Sequence, residues 1–194
     1  MRLAYVDVSE ALVETHRLVQ DQEEGLLVNF GDNYFCGCGK HSNLREEVCD
    51  NLNIPILRAN YLGGTIVIFP GDLSIMEVKR GHSTFGAKTI QCLCDYLRSK
   101  GLPVFVDNND LLLSDVDNRV AYKVASYGSN WVGAMTETGI HVSINTDVEL
   151  IKSICVKPMV KVPGALGQYG ITAQELWQAI LAILEYDVEE EGDG

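Results

Sequence analysis

Three short stretches of this 194-residue chain carry residue types suited to an anionic, oxygen-rich ligand. The first is Arg58-Ala59-Asn60-Tyr61-Leu62-Gly63-Gly64-Thr65, followed by Pro70-Gly71-Asp72-Leu73. Adjacent glycines let a backbone approach a ligand closely and turn N–H groups toward an anion. An arginine a few residues upstream adds a bidentate contact. A Gly-Gly turn between strands is more often a plain hairpin. The second stretch is Tyr122-Lys123-Val124-Ala125-Ser126-Tyr127, where Lys123 interrupts a mostly apolar strand. Turned inward, its ammonium needs an anion to meet it; on the outer face of an edge strand it meets only water. The third is Asn108-Asn109-Asp110, whose oxygens suit Mg²⁺ held together with substrate phosphates, or else a polar turn.

The cysteines offer a competing chemistry. Cys36 and Cys38 share a strand face and His41 follows closely, a candidate metal set, although zinc sites usually use Cys-x-x-Cys spacing. Cys92 and Cys94 fall in a helical pattern and point about 200° apart, so they cannot chelate together. Buried, reduced thiols are the plainer reading of all six. The net charge is −12; removing six acidic residues of the tail (Glu185, Asp187, Glu189, Glu190, Glu191, Asp193) leaves a body near −6. Such a surface repels phosphates, and no basic stripe offsets it, which excludes nucleic acid as a partner. The apolar runs are too short to cross a membrane, and Met1 to Asp7 has no secretory pattern. The expected location is the cytoplasm.

The elements that must position these residues alternate irregularly. Strands are expected at 3–8, 26–29, 34–37, 55–58, 65–69, 73–79, 104–106, 110–114, 120–127 and 139–145. Helices are expected from an N-cap at Ser9 to about Glu24, over 43–52, over 87–99 with Ile90, Leu93 and Leu97 inward, and from a Thr146 or Asp147 cap to Ile154. In the first of these, Leu12, Val13, His16 and Val19 form the inward face, with His16 half-buried. Thr172-Ala173-Gln174-Glu175 fits a capping box that opens a last helix to about Glu185, with Leu176, Ile180, Ile183 and Leu184 inward. Helices interleaved with hairpins predict an α+β fold of mixed, largely antiparallel sheets with helices packed outside. One domain over 1–185 and an acidic tail over 186–194 is the economical organisation.

Taken in order, the motifs resemble those of the biotin/lipoate protein ligase family. Arg58…Gly63-Gly64…Gly71-Asp72-Leu73 resembles the Arg-Arg-x-Ser-Gly-Gly-Gly-Ala-Val-x-His-x-x-Gly-Asn/Asp segment of lipoate–protein ligases. Gly39-Lys40-His41-Ser42-Asn43 is similar to Gly-Arg-x-Gln-Asn, Asn109-Asp110-Leu111 to Asn-Asp-Leu, and Lys123-Val124-Ala125-Ser126 to Lys-Ile-Ala/Ser-Gly. Gly139 to Asp147 looks like the family's apolar strand ending in Asn-x-Asp, and Gly170-Ile171-Thr172 also fits.

The resemblance implies a biotin/lipoate ligase-like catalytic domain that holds an acyl chain. It implies ATP and Mg²⁺ as cofactors, acyl-adenylate formation, and transfer of a lipoyl or octanoyl group to a lysine of a lipoyl-type carrier protein. It places Arg58, Gly63, Gly64, Gly71, Asp72, Asn109 and Asp110 around substrate and nucleotide, with Asp110 near Mg²⁺. Lys123 becomes the cation facing the acyl oxygen. Cys155 stands close to the nucleophile position of octanoyltransferases, about two residues early. The departures are Ala59, Tyr61, Leu62, Ile68 and Thr138, at positions where the family has arginine, serine, glycine, histidine and histidine. They leave open a non-catalytic member that binds a small molecule or a protein. A biotin-type ligase fits less well, because its glycine-rich, arginine-containing loop is placed differently.

Overall fold

Among the residues that the computed structural model describes (1–31, 33–38, 43–58, 65–115, 117, 119–157 and 161–190), two sheets and five α-helices form. The larger sheet runs in the order β1 (Arg2–Tyr5), β2 (Gly25–Asn29), β6 (Leu73–Arg80), β10 (Met135–Val142), β9 (Val120–Val132), β8 (Asp110–Asp115) and β7 (Val104–Asp107). A two-residue β11 (Val162–Pro163) pairs along β9. Only β1–β2 and β9–β11 are parallel pairs in this sheet. The smaller sheet is β4 (Ile56–Arg58), β3 (Phe35–Cys38) and β5 (Thr65–Ile68). This is the α+β arrangement expected from the sequence.

One face of the larger sheet carries the main core. Leu26, Val28, Leu73, Ile75, Leu111, Leu113, Ile140 and Val142 meet Ile90, Leu93 and Leu97 of α3 (Phe85–Ser99) and Leu176, Trp177 and Ile180 of α5 (Ala173–Glu190). The face expected for α3 is buried throughout, whereas of the face expected for α5 Leu176 and Ile180 are buried and Ile183 and Leu184 only partly so. Of the box at the start of α5, Thr172 Oγ1 accepts from Glu175 N–H at 3.2 Å, but the Glu175 carboxylate turns to Tyr96 Oη (2.6 Å) and Lys100 Nζ (2.7 Å) and ties α5 to α3. A second core lies under the small sheet, where Cys36, Cys49, Ile54 and Ile154 gather between α2 (Glu46–Asn51) and α4 (Val148–Ile154). No described helix is long and apolar enough to cross a membrane.

Helix α1 (Val8–Asp21) differs from expectation. Asp7, not Ser9, is its N-cap: Asp7 Oδ1 accepts from Glu10 N–H at 2.8 Å while Glu10 Oε2 accepts from Asp7 N–H. The buried face is Ala11, Thr15 and Leu18; Val13 is 73% exposed, and His16 is exposed and bonded to Gln20. Small residues at 11 and 15 let the helix lie close on the sheet, and the larger apolar side chains flank that contact. The 120–145 region also differs. Instead of two separate strands it forms one long hairpin, β9 to β10, closed by Gly133-Ala134, with Gly133 at φ +63° in the position that favours glycine. Its period-two pattern is hidden because Gly128, Asn130 and Glu137 face a cavity rather than a core, while on the opposite face Ser129 and Thr138 bond to one another at 2.9 Å.

Candidate functional site

The other face of the larger sheet is built in rows, because alternate residues of neighbouring strands stand side by side in register. The first row is polar: Asn29, Ser74, His141, Ser126 and Asp110. The second is apolar or bare: Leu27, Met76, Gly139 and Gly128. The third is Gly25, Val78, Glu137 and Asn130. Gly139 and Gly128 sit opposite one another, so the middle row lacks two side chains and becomes a trough. A cavity of about 510 Å³ lies over it, closed on the far side by Phe35 and Gly37 of β3, Ile66 and Ile68 of β5, and Ala11 and Leu12 of α1. Its walls are largely hydrocarbon, with polar groups at the two ends.

At the polar row, His141 is buried and its Nδ1 lies 3.2 Å from Ser74 Oγ. Its Nε2 is 3.4 Å from Asp72 Oδ2 and 3.5 Å from Ser143 Oγ. Burial pushes the imidazole below its ordinary range; the Asp72 carboxylate opposes this, and the positive charge of Lys123 adds to it. The ring is a neutral donor–acceptor at pH 7. Asp72 itself is fully buried. Its Oδ1 accepts from the N–H groups of Ile144 (2.7 Å) and Asn145 (3.0 Å), and its Oδ2 from that of Phe69 (3.0 Å). Beside it, Gly71 has φ +88°, and a Cβ there would lie 2.2 Å from Asn145 Nδ2, which donates instead to Pro70 O at 2.8 Å. Gly71 and Asp72 thus pin the 69–72 turn to the 144–145 loop and hold His141 from behind.

Lys123 reaches this face through an irregularity in β9. Leu111 pairs with Ala125, but Leu112 pairs with Lys123, so Val124 is an extra residue opposite β8. Without that bulge Lys123 would share the parity of Ala125 and Tyr127 and point into the helical core. With it, Lys123 stands beyond Ser126 on the side of the polar row. Its side chain is 32% exposed, and Nζ lies 3.5 Å from Asp110 Oδ1. Lys161, carried in by the β11–β9 pairing, contacts Asp110 Oδ2 (2.7 Å) and Asp107 Oδ2 (2.8 Å). Two ammonium groups therefore face two carboxylates next to Ser126 in the polar row, although none of the four lines the cavity itself.

The remaining candidates fall as follows. Asn109 is exposed in the β7–β8 hairpin, where its carbonyl accepts from Tyr127 N–H at 3.0 Å. Arg58 ends β4, more than half exposed, and ion-pairs with Glu46. Gly63 and Gly64 lie outside the described residues, as does His41. Cys36 is fully buried in the second core. Cys155 caps α4, buried against Phe69 and Ile151; burial pushes its thiol up, and nearby Cys49 adds to the shift. A thiol so placed is a poor thiolate. For Mg²⁺, the described residues hold no group of three His, Cys, Asp or Glu side chains, and Lys161 already engages both Asp107 and Asp110. This donor set does not fit a resident Mg²⁺ site. His141, Lys161 and Glu137 were not singled out from sequence: His141 stands inside the Gly139–Asp147 motif, whereas Lys161 and Glu137 acquire partners only through strand pairing.

No protein-family model matches the sequence, and no curated protein matches it either. Solved structures match well. P. falciparum LipL1 in complex with lipoate is 12% identical, with a TM-score of 0.77 over 99% of this chain and 63% of that one. Lipoate-protein ligase A bound with ATP is 12% identical, with a TM-score of 0.72 over 92% of this chain and 81% of that one. A chain of the Thermoplasma acidophilum lipoylation system, described as a bi-partite lipoate protein ligase and its E2 lipoyl domain, is 12% identical, with a TM-score of 0.71 over 93% and 80%. The present chain has the fold of these lipoate-ligase structures.

Proposed function

We propose that the protein takes a medium-chain acyl acid into this cavity and transfers it, as an acyl-adenylate made with ATP, to a lysine of a lipoyl-type carrier protein. The observation that carries this reading is the cavity itself: a hydrocarbon-walled trough over Gly128 and Gly139 that leads to a polar row with Lys123 beside it. An acyl tail buried along the trough gains about 0.8 kcal/mol per CH₂, while its carboxylate end meets the polar row, where the Ser126 hydroxyl is the donor. The fold shared with a lipoate complex and an ATP complex supports the same class of reaction.

In the first step a carboxylate oxygen attacks the α-phosphorus of ATP and pyrophosphate leaves. In the second the carrier's neutral lysine amine attacks the acyl carbon, AMP leaves, and the amine loses a proton. Negative charge grows on the acyl oxygen in that second step. The ammonium of Lys123, held by the β9 bulge and by Asp110, is the fixed cation that stabilises it. Lys161 keeps Asp107 and Asp110 occupied, so that Asp110 does not fully neutralise Lys123. ATP would bring its own Mg²⁺ on phosphate oxygens, and no step here depends on a protein-held metal.

The test is incubation of the full chain with ATP, Mg²⁺ and octanoate or lipoate, followed by detection of acyl-AMP by mass spectrometry and of pyrophosphate release. Adenylate formation that Lys123→Met reduces supports the reading. Tight binding of the acid with no adenylate, and no transfer from acyl-carrier donors, would replace it with a binding module.

A further inference from the structure

The cavity ends, opposite its polar row, on a buried acidic group that an all-hydrocarbon tail would leave stranded. Glu137 lies four residues before His141 on the same face of β10, about 13 Å away at about 3.3 Å per residue. It lines the cavity and is only 4% exposed. Asn130, its register partner on β9, hydrogen-bonds the carboxylate. Oε2 is enclosed and has no hydrogen-bond partner among the described residues. Its neighbours across the trough are Met76, Gly139 and Gly128, none of which offers a side-chain donor, and the nearby His16 ring is exposed and bonded to Gln20. Buried acceptors almost always have a partner, and leaving one without is costly.

We propose that Glu137 is a specificity residue that accepts a hydrogen bond from a hydroxyl, amide N–H or ammonium carried on the far end of the acyl chain. This rests on the acyl-binding reading above and narrows its substrate class. A methyl-ended chain that reaches the third row presses hydrocarbon against Oε2 and leaves it stranded. A donor-ended chain of the same length supplies the missing hydrogen bond, which is charge-assisted and hence strong. A site built around such a bond discriminates against the analogue lacking the donor far more sharply than an apolar pocket discriminates by size.

The experiment is calorimetric titration of the full chain with octanoate and with its ω-hydroxy and ω-amino derivatives. The wild type is expected to bind at least one donor-ended acid about tenfold or more tightly than octanoate, a difference of about 1.4 kcal/mol. Glu137→Leu, checked for folding by its melting curve, is expected to erase or reverse that order. If Glu137→Leu does not fold, Glu137→Gln serves in its place and is expected to weaken the preference by removing the charge. Octanoate binding at least as tightly as both derivatives in the wild type would overturn the inference and leave the acyl-binding reading standing. A donor preference that survives Glu137→Leu would overturn the role of Glu137. Failure of all three acids to bind would overturn both readings together.

Discussion

Filling the trough tests the cavity without touching any polar group. Gly128 sits in extended strand and is not among the positive-φ glycines, and a Cβ built on it has no neighbouring heavy atom within 4 Å. The four-carbon side chain of Gly128→Leu therefore projects into the space assigned to the acyl tail. If it displaces about four methylenes at about 0.8 kcal/mol each, binding weakens by about 3 kcal/mol, or more than a hundredfold. The fold should not suffer: glycine inside a strand is destabilising by about 0.5–1 kcal/mol relative to alanine, so the melting temperature should hold or rise. Gly139→Ala is the contrasting variant. Its Cβ would come within 2.9 Å of Met76 Sδ, the flexible end of a side chain that can shift, so its effect should be smaller. The assay is calorimetric titration with octanoate beside a thermal melt. Unchanged affinity in a folded Gly128→Leu protein would refute the placement of the tail. A large fall in melting temperature would show that the trough is not open space.

The other perturbations address the polar end. Lys123→Met should lower the rate of acyl transfer by about 10²–10³-fold, measured by single-turnover transfer from preformed acyl-AMP, with the melting temperature nearly unchanged because Lys161 still faces Asp110. Asp72→Ala leaves three backbone N–H groups without their acceptor and should cost about 3–5 kcal/mol, a melting-temperature drop on the order of 10 °C in a chain of this size. The imidazole of His141 is held below its ordinary value of 6.5 by burial, so below that pH the unfolded chain takes up a proton the folded chain resists. Stability should accordingly fall as pH drops through about 6.5, and His141→Gln should flatten that fall in melts compared at neutral and mildly acidic pH. Burial raises the Glu77 and Glu137 carboxyls, so their effect has the opposite sign: lowering the pH relieves a buried charge. The variant-minus-wild-type difference isolates the histidine.

Much of the architecture was legible along the chain. Ile90, Leu93 and Leu97 repeat at helical spacing and are all buried; Asp147 caps α4 through Leu150 N–H at 3.0 Å; the strand expected over Leu73 to Lys79, after the Pro70-Gly71-Asp72 turn, forms as β6. These signals are local, since a cap or a periodic face lies within one element. The face of α1 was not legible, because Leu12 and Val13 look more core-like than Ala11 and Thr15. What selected the small residues was how closely the helix lies on β2 and β6. The strand content of 128–138 was hidden because one face lines the cavity and the other holds the Ser129–Thr138 hydrogen bond, so neither shows an apolar period.

By itself, the sequence determined which residue types were available, the α+β class, and the family resemblance carried by the order of its motifs. Only the tertiary structure decided which way they point. Strand parity alone would send Lys123 into the helical core, and the single extra residue at Val124 reverses it. Asp72, read as a ligand contact, turns its carboxylate to three backbone amides contributed by two loops seventy residues apart. Glu137, one acidic residue among many, became the end of a cavity through its register with Asn130. Register and bulges are properties of pairs of strands, so no window along one strand contains them.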